Sequence, residues 1–156
     1  MSDVGLTERL TGQVPESHAD LAECPPVAAL TTMTADGYPQ TSVVWCDFDG
    51  ECVRVNTMRG FVKERNMRRN PQVTLLCYDP DQPLRCLEVR GTVVEMTEFG
   101  AAEHLDRLAS KYAGQPIQFF GDAIPARFAE TKIPVLCRIE PTHVIALDTT
   151  KNGEGV

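Results

Sequence analysis

Six of the chain's fifteen basic residues (Arg54, Arg59, Lys63, Arg65, Arg68 and Arg69) stand between positions 54 and 69, against one acid, Glu64. That is a local charge of +5 inside a 156-residue protein of net charge −7. Arg59, Lys63 and Asn66 follow at i, i+4 and i+7, the spacing of a single helix face. Thr57 and Gly60 fall at the turn entering that helix, where backbone N–H groups are free. Free N–H groups, the positive end of a helix dipole and two cations form an anion site, and phosphate is the usual occupant. The alternative is a solvated basic face carrying ordinary ion pairs.

Other chemistries find no support. No Gly-x-Gly-x-x-Gly follows a strand, and no phosphate loop ends in Gly-Lys-Ser/Thr. The four serines (2, 17, 42 and 110) lack a nucleophile-elbow context. The six cysteines (24, 46, 52, 77, 86 and 137) form no Cys-x-x-Cys pair and the three histidines are scattered, so no metal is expected. Cys46 and Cys52 flank a predicted turn and could face each other, although free thiols are the expectation in a reducing compartment. Asp79 and Asp81 read as a solvated loop and His143 as a hydrogen-bonded edge residue. Trp45, the only tryptophan, suits core packing or stacking on a bound ring.

The acidic balance argues against a nucleic-acid partner or an anionic membrane surface. No apolar run approaches the ~18–20 residues of a membrane span, and the polar start Met1–Glu8 does not resemble a signal peptide. A cytoplasmic address is expected.

The elements that must position the basic cluster are mostly strands. Residues 1–24 suggest a short surface helix or two, closed by Pro25-Pro26. Strands are predicted at Val27–Met33, Gln40–Phe48 and Glu51–Thr57, separated by Asp36-Gly37 and Asp49-Gly50 turns. Met58, Phe61 and Val62 then carry a helical stripe to about Arg69, which Asn70-Pro71 stops. Strands return at Gln72–Tyr78 and Arg85–Met96, the second with a bulge or bend at Gly91. A helix from about Phe99 to Ala113 follows. Residues 114–133 are irregular, with a turn near Ala126–Ala129. With Phe119, Phe120 and Phe128 the stretch is either a lid over the substrate or a packed connection, and three aromatics favour packing. Pro134–Glu140 and His143–Asp148 are the last strands, and residues 149–156 form a tail. With no repeat or composition break, a single domain is expected. Its many strands in hairpin order need closed edges, which a barrel supplies.

These segments together resemble the flavin split-barrel family typified by pyridoxamine 5′-phosphate oxidase. The likeness starts at Ala29-Leu30-Thr31-Thr32 and continues through Asp36-Gly37-Tyr38-Pro39-Gln40-Thr41-Ser42-Val43-Val44-Trp45. It takes in Asn56-Thr57-Met58-Arg59-Gly60, Lys63-Glu64-Arg65-Asn66, Asn70-Pro71-Gln72-Val73 and Glu88-Val89-Arg90-Gly91. It covers about residues 25–148.

The resemblance implies a mainly β fold, a six- to seven-stranded split barrel, and a homodimer with cofactor sites at its interface. Arg59 and Lys63 would hold the cofactor phosphate, with Asn56 and Thr57 beside them and Asn66 on the same helix. Thr41, Ser42, Val43 and Val44 would run along the ring system, and Arg85 would reach the site from the other subunit. The vitamin B6 oxidases carry an arginine and a lysine on the second strand, where this chain has Ser42 and Cys46, so oxidation of pyridoxamine phosphate is not expected. The pattern looks more like the branch that uses the deazaflavin coenzyme F420, whose acidic tail Arg65, Arg68 and Arg69 could meet. The implied activity is hydride transfer from reduced deazaflavin to an unsaturated small-molecule acceptor. The alternatives are an FMN-dependent oxidoreductase or a non-catalytic flavin- or haem-binding protein.

Overall fold

Strand β2 (Val27–Met33) alternates inward Ala28, Leu30 and Thr32 with half-buried neighbours, the period of a sheet with one face in a core. The same alternation runs through β3 (Pro39–Val44), β5 (Val53–Met58), β6 (Gln72–Tyr78) and the first half of β7 (Arg85–Thr97), while β4 (Cys46–Phe48) is too short to show it and β8 (Pro134–Asp148) changes phase. In the computed structural model, which describes residues 6–9 and 12–149, these strands pair antiparallel in the order β3-β2-β6-β7-β8-β5-β4. A short β1 (Leu6–Arg9) pairs with β8. The fold is therefore a mainly β split barrel with few helices.

Closure follows from one residue. β3 and β4 end the sheet at its opposite sides, yet only Trp45 separates them in the chain. The sheet must curl until its two ends meet there. The predicted strand Gln40–Phe48 is thus two strands, because its halves pair with different partners: β3 with β2 and β4 with β5.

Inside the barrel lie Leu30, Val53, Val55, Leu75, Leu87, Val89, Val135, Ile139 and Val144, all fully buried. Each contributes about 1.5–3 kcal/mol by leaving water. The two predicted C-terminal strands are one strand with a phase change. Val135, Cys137, Ile139 and Pro141 point inward, then Val144 and Ala146. Pairing with β7 jumps from His143 opposite Arg90 to Pro141 opposite Gly91, so Thr142 is the extra residue that resets the alternation. The bend expected at Gly91 is this bulge, and glycine is required for space. A Cβ there would lie 2.6 Å from the Glu140 carbonyl oxygen and 2.7 Å from Ile139 Cγ2. Gly91→Ala is expected to destabilise the protein by about 1–3 kcal/mol through this overpacking, read as a lower urea midpoint. An unchanged midpoint would mean that the strands part without cost.

Among the described residues three α-helices lie outside the sheet. Helix α1 (Ala19–Glu23) adds Leu21 and Ala22 to the core. Among its described residues the N-terminal segment carries one strand, a single 3-10 turn (Glu16–His18) and one short helix. A four-residue strand carries too little alternation to be recognised before its partner β8 is known. Helix α2 (Val62–Arg69) starts later than the stripe suggested, because Met58 belongs to β5, paired with Pro134. Gly60, at φ +86°, makes the turn between them. Helix α3 (Ala101–Ala113) lays Ala101, Leu105, Leu108 and Ala109 against the barrel. Of the expected tail 149–156, residues 150–156 lie outside the described residues.

All six cysteines are free thiols. Cys46 pairs with Val55 and Phe48 with Val53, so Cys52 lies beyond the register that could have brought it opposite Cys46. The Cys77 thiol, and then burial, push Cys46 up, while burial pushes Cys137 up to about 12. Cys46, Cys52, Cys77 and Cys137 are buried and Cys24 and Cys86 half-buried. Alkylation of the native protein at neutral pH is expected to stop at Cys24 and Cys86, as counted by intact mass.

Candidate functional site

The end of β3, the end of β5 and the start of α2 converge on one side of the barrel, where α3 crosses. The cavity between them holds about 260 Å³. Val43, Trp45, Met58, Phe61 and Leu105 supply apolar walls, and Asn56, Thr57 and Lys63 are the polar lining. The Trp45 ring stacks on Tyr112 at 5.3 Å and meets the edge of Phe119 at 6.0 Å. Trp45 is thus half-buried, packed on one side and part of the cavity wall on the other. Phe119 belongs to the irregular 114–133 stretch, and Asp106 Oδ1 fixes it by accepting its backbone N–H at 2.8 Å. Phe119, Phe120 and Phe128 are only half-buried, so this stretch is both a packed connection and a wall.

Lys63 is the cation of the cavity. Its ammonium lies 5.7 Å from the centroid of the Phe61 ring and has no carboxylate partner among the described residues. Burial lowers its pKa, because nothing compensates the desolvated charge. Helix α2 starts beside it with no side-chain cap. Glu64 instead turns back to accept the Gly60 N–H at 3.2 Å and pairs with Arg68. Three buried polar atoms nearby have no partner among the described residues: Ser42 Oγ, Asn56 Oδ1 and Thr57 Oγ1. A native protein seldom leaves such atoms without purpose.

Of the residues anticipated from sequence, Val43, Val44, Asn56, Thr57 and Lys63 meet at this cavity, and Ser42 lies beside it on β3. The others stand apart. Thr41 shares a hydrogen bond with Thr31 at 2.8 Å between hydroxyls. Arg59 precedes α2 and pairs with Glu98 in the open. Asn66 points inward and donates to Thr32 Oγ1 at 3.1 Å. Arg59, Lys63 and Asn66 therefore do not share a face, since the helix begins only at Val62 and its buried side carries Asn66 and Met67. Arg85 is held by Asp20 at 2.6 Å, away from this cavity. Phe61, Leu105 and Phe119 were not anticipated as site residues, because helix and loop residues reach the cavity only through tertiary packing.

Three larger hollows lie elsewhere among the described residues. One of about 450 Å³ has no cation in its lining. A second, about 680 Å³, contains Arg54 and Lys111, which Asp47 and the Glu23 carbonyl already occupy, and Arg107, with no buried unpartnered polar atom beside it. The third, about 610 Å³, lies beside Arg90, which pairs with Glu88. None places an unpaired cation beside unpartnered polar atoms. Among the described residues, no three His, Cys, Asp or Glu side chains gather as metal ligands. No helix there is long and apolar enough to cross a membrane.

The family model described as pyridoxamine 5′-phosphate oxidase matches residues 14–147. The chain belongs to this flavin split-barrel family. A solved structure named F420 reductase is 33% identical over 84% of this chain and 98% of its own, with a TM-score of 0.69. A conserved hypothetical protein from Mycobacterium tuberculosis is 24% identical, covering 96% of this chain and 94% of its own at a TM-score of 0.68. The haem storage protein HutZ from Vibrio cholerae, at 18% identity, 86% and 94% coverage and a TM-score of 0.58, shares the fold. No curated protein matches the sequence significantly.

In this split-barrel protein the cavity is backed by a buried polar chain. Arg54, opposite Asp47 in the β4–β5 register, grips both oxygens of that carboxylate at 2.8 Å. His104, fully buried on α3, places Nε2 3.2 Å from Asp47 Oδ1 and Nδ1 3.2 Å from Asn56 Nδ2. Asn56 Nδ2 also donates to the Ala101 carbonyl at 2.8 Å. A carboxylate on one side and an amide N–H on the other assign the proton to Nε2 and the lone pair to Nδ1.

Proposed function

We propose that this protein is an F420-dependent reductase working as a homodimer, with the cofactor in the cavity between β3, β5 and α2. The observation that carries this reading is the Lys63 ammonium, desolvated and without a carboxylate, at a cavity of aromatic and aliphatic walls. The relative named F420 reductase favours the deazaflavin over FMN. The unpartnered Ser42, Asn56 and Thr57 atoms fit a ligand with a polar edge and a phosphate. When bound, the deazaflavin supplies hydride for reduction of a conjugated acceptor such as a quinone, a tetrapyrrole or an enone.

The residues of the chain bind, orient and exclude water. Lys63 and the uncapped start of α2 hold the phosphate, with Arg59 at the rim. Val43, Val44 and Trp45 flank the ring and keep water from it. Of the cations offered to an acidic tail, Arg68 is engaged by Glu64 and Arg69 by Asn66, so exposed Arg65 is the one uncommitted among the described residues.

A second copy completes the site in this reading. The cavity of about 260 Å³ is below the ~300–1,000 Å³ of pockets that engulf such ligands. Val43 at its edge is 73% exposed, as is Tyr38 on the preceding turn. The partner would cover these and bring its 79–85 loop and Arg85. The test is fluorescence titration of the apo-protein with F420 and FMN side by side, with sedimentation for the dimer. Preference for F420 supports the reductase. Preference for FMN supports the FMN-dependent alternative, and binding of neither removes both.

A further inference from the structure

The buried chain from Arg54 through Asp47 and His104 to Asn56 contributes no charge to the cavity, yet it ends on the cavity wall. We propose that Asp47 and His104 are positioning residues that fix the Asn56 amide with Oδ1 as a hydrogen-bond acceptor for the bound ligand. The site thereby selects a ligand with an N–H or O–H donor at that wall. The inference rests on the cavity being the cofactor site.

An asparagine amide has two orientations, which exchange a two-donor arm for an acceptor arm. Here one orientation is enforced. Turned over, Oδ1 would face the Ala101 carbonyl and His104 Nδ1, two acceptors now met by Nδ2 at 2.8 and 3.2 Å. A change of His104 tautomer could rescue only Nδ1, and it would leave Asp47 Oδ1 facing a ring nitrogen without its proton. Arg54 forbids Asp47 from turning aside, since it holds both carboxylate oxygens. The two central links are among the least accessible polar groups of the described residues, His104 at 0% and Asp47 at 5% exposure, while Arg54 and Asn56 at the ends are half-buried.

Oδ1 is the outcome of this arrangement, buried and without a partner among the described residues. An acceptor there repels a phosphate oxygen and attracts a ring N–H or a polyol hydroxyl. The ligand's ends are thereby sorted, the anion to Lys63 and the donor-bearing part to Asn56.

The experiment titrates the full chain with F420 and with FMN, and follows thermal unfolding in parallel. The variants are Asn56→Ala, His104→Leu, His104→Gln, Lys63→Ala and the double variant Asn56→Ala/His104→Leu. Asn56→Ala and His104→Leu are each expected to weaken the better-bound flavin roughly 5- to 10-fold. The double variant is expected to bind no worse than Asn56→Ala, because His104 acts only through Asn56. His104→Gln keeps a donor for Asp47 and an acceptor for Asn56, and should recover most of the affinity. If His104→Leu does not fold, Asp47→Asn in both backgrounds makes the same comparison.

Losses that multiply in the double variant would overturn the proposal. So would a His104→Leu protein that melts earlier but binds unchanged. Weakening by Lys63→Ala with none by Asn56→Ala removes this inference and leaves the cofactor site. A wild type that binds neither flavin removes both.

Discussion

Replacing Asp47 by alanine is expected to cost the fold about 3–4 kcal/mol, the lower part of the range for breaking a buried ion pair. Asp47 is the acceptor for two buried or half-buried donors, Arg54 and His104. Alanine leaves both without a partner, and desolvation rather than lost attraction sets the magnitude. The lower end applies because the Arg54 side chain keeps 24% exposure and can recover some hydration. In thermal unfolding this corresponds to a drop of roughly 6–16 °C for a protein of this size.

The pH dependence of that loss has a definite sign. Burial raises the Asp47 pKa, but hydrogen bonds from His104 and Arg54 outweigh it and hold the carboxyl below the usual range. A depressed folded-state pKa means that the group contributes its full stability above the unfolded value of about 3.9. The contribution is lost as pH falls below that value through the folded-state pKa. The stability gap between wild type and Asp47→Ala should therefore be flat near neutrality and narrow below about pH 4. Urea titrations of both proteins at several pH values measure it, and a gap under about 1 kcal/mol at neutral pH would contradict the account.

Lys63→Ala is expected to weaken cofactor binding by about 1.5–3 kcal/mol, or some 10- to 150-fold in Kd. The same truncation at Arg59 should cost less than about 1 kcal/mol. The two cations differ in environment. Lys63 is half-buried, has no carboxylate and loses hydration that only an anion can replace. Arg59 is exposed and already has Glu98 as partner, so a ligand must compete for it. Affinity should also fall with added salt, less steeply for Lys63→Ala than for wild type. Equal effects of the two variants would return the phosphate to the surface.

Much of this protein was legible without coordinates. Val27–Met33 and Gln72–Tyr78 appear at their predicted bounds, because full alternation between turn residues leaves a strand no other phase. Gly91 announced its bulge, since a glycine inside such a strand marks a bend or a close approach of backbone. The charge excess around Lys63 marked the neighbourhood of the cavity, because composition alone records an unbalanced cluster.

Tertiary structure decided which of those charges are free. Spacing placed Arg59, Lys63 and Asn66 on one face, but Gly60 delays the helix and β2 claims Asn66 through Thr32. Arg59, Arg68 and Arg85 find acids 39, 4 and 65 residues away, and of these only the i,i+4 pair follows a sequence rule. The break at Trp45 and the Asp47–His104–Asn56 chain depend on strands and a helix meeting across the barrel. Local sequence fixes the period of each element, whereas partners distant in the chain are chosen only when the sheet closes.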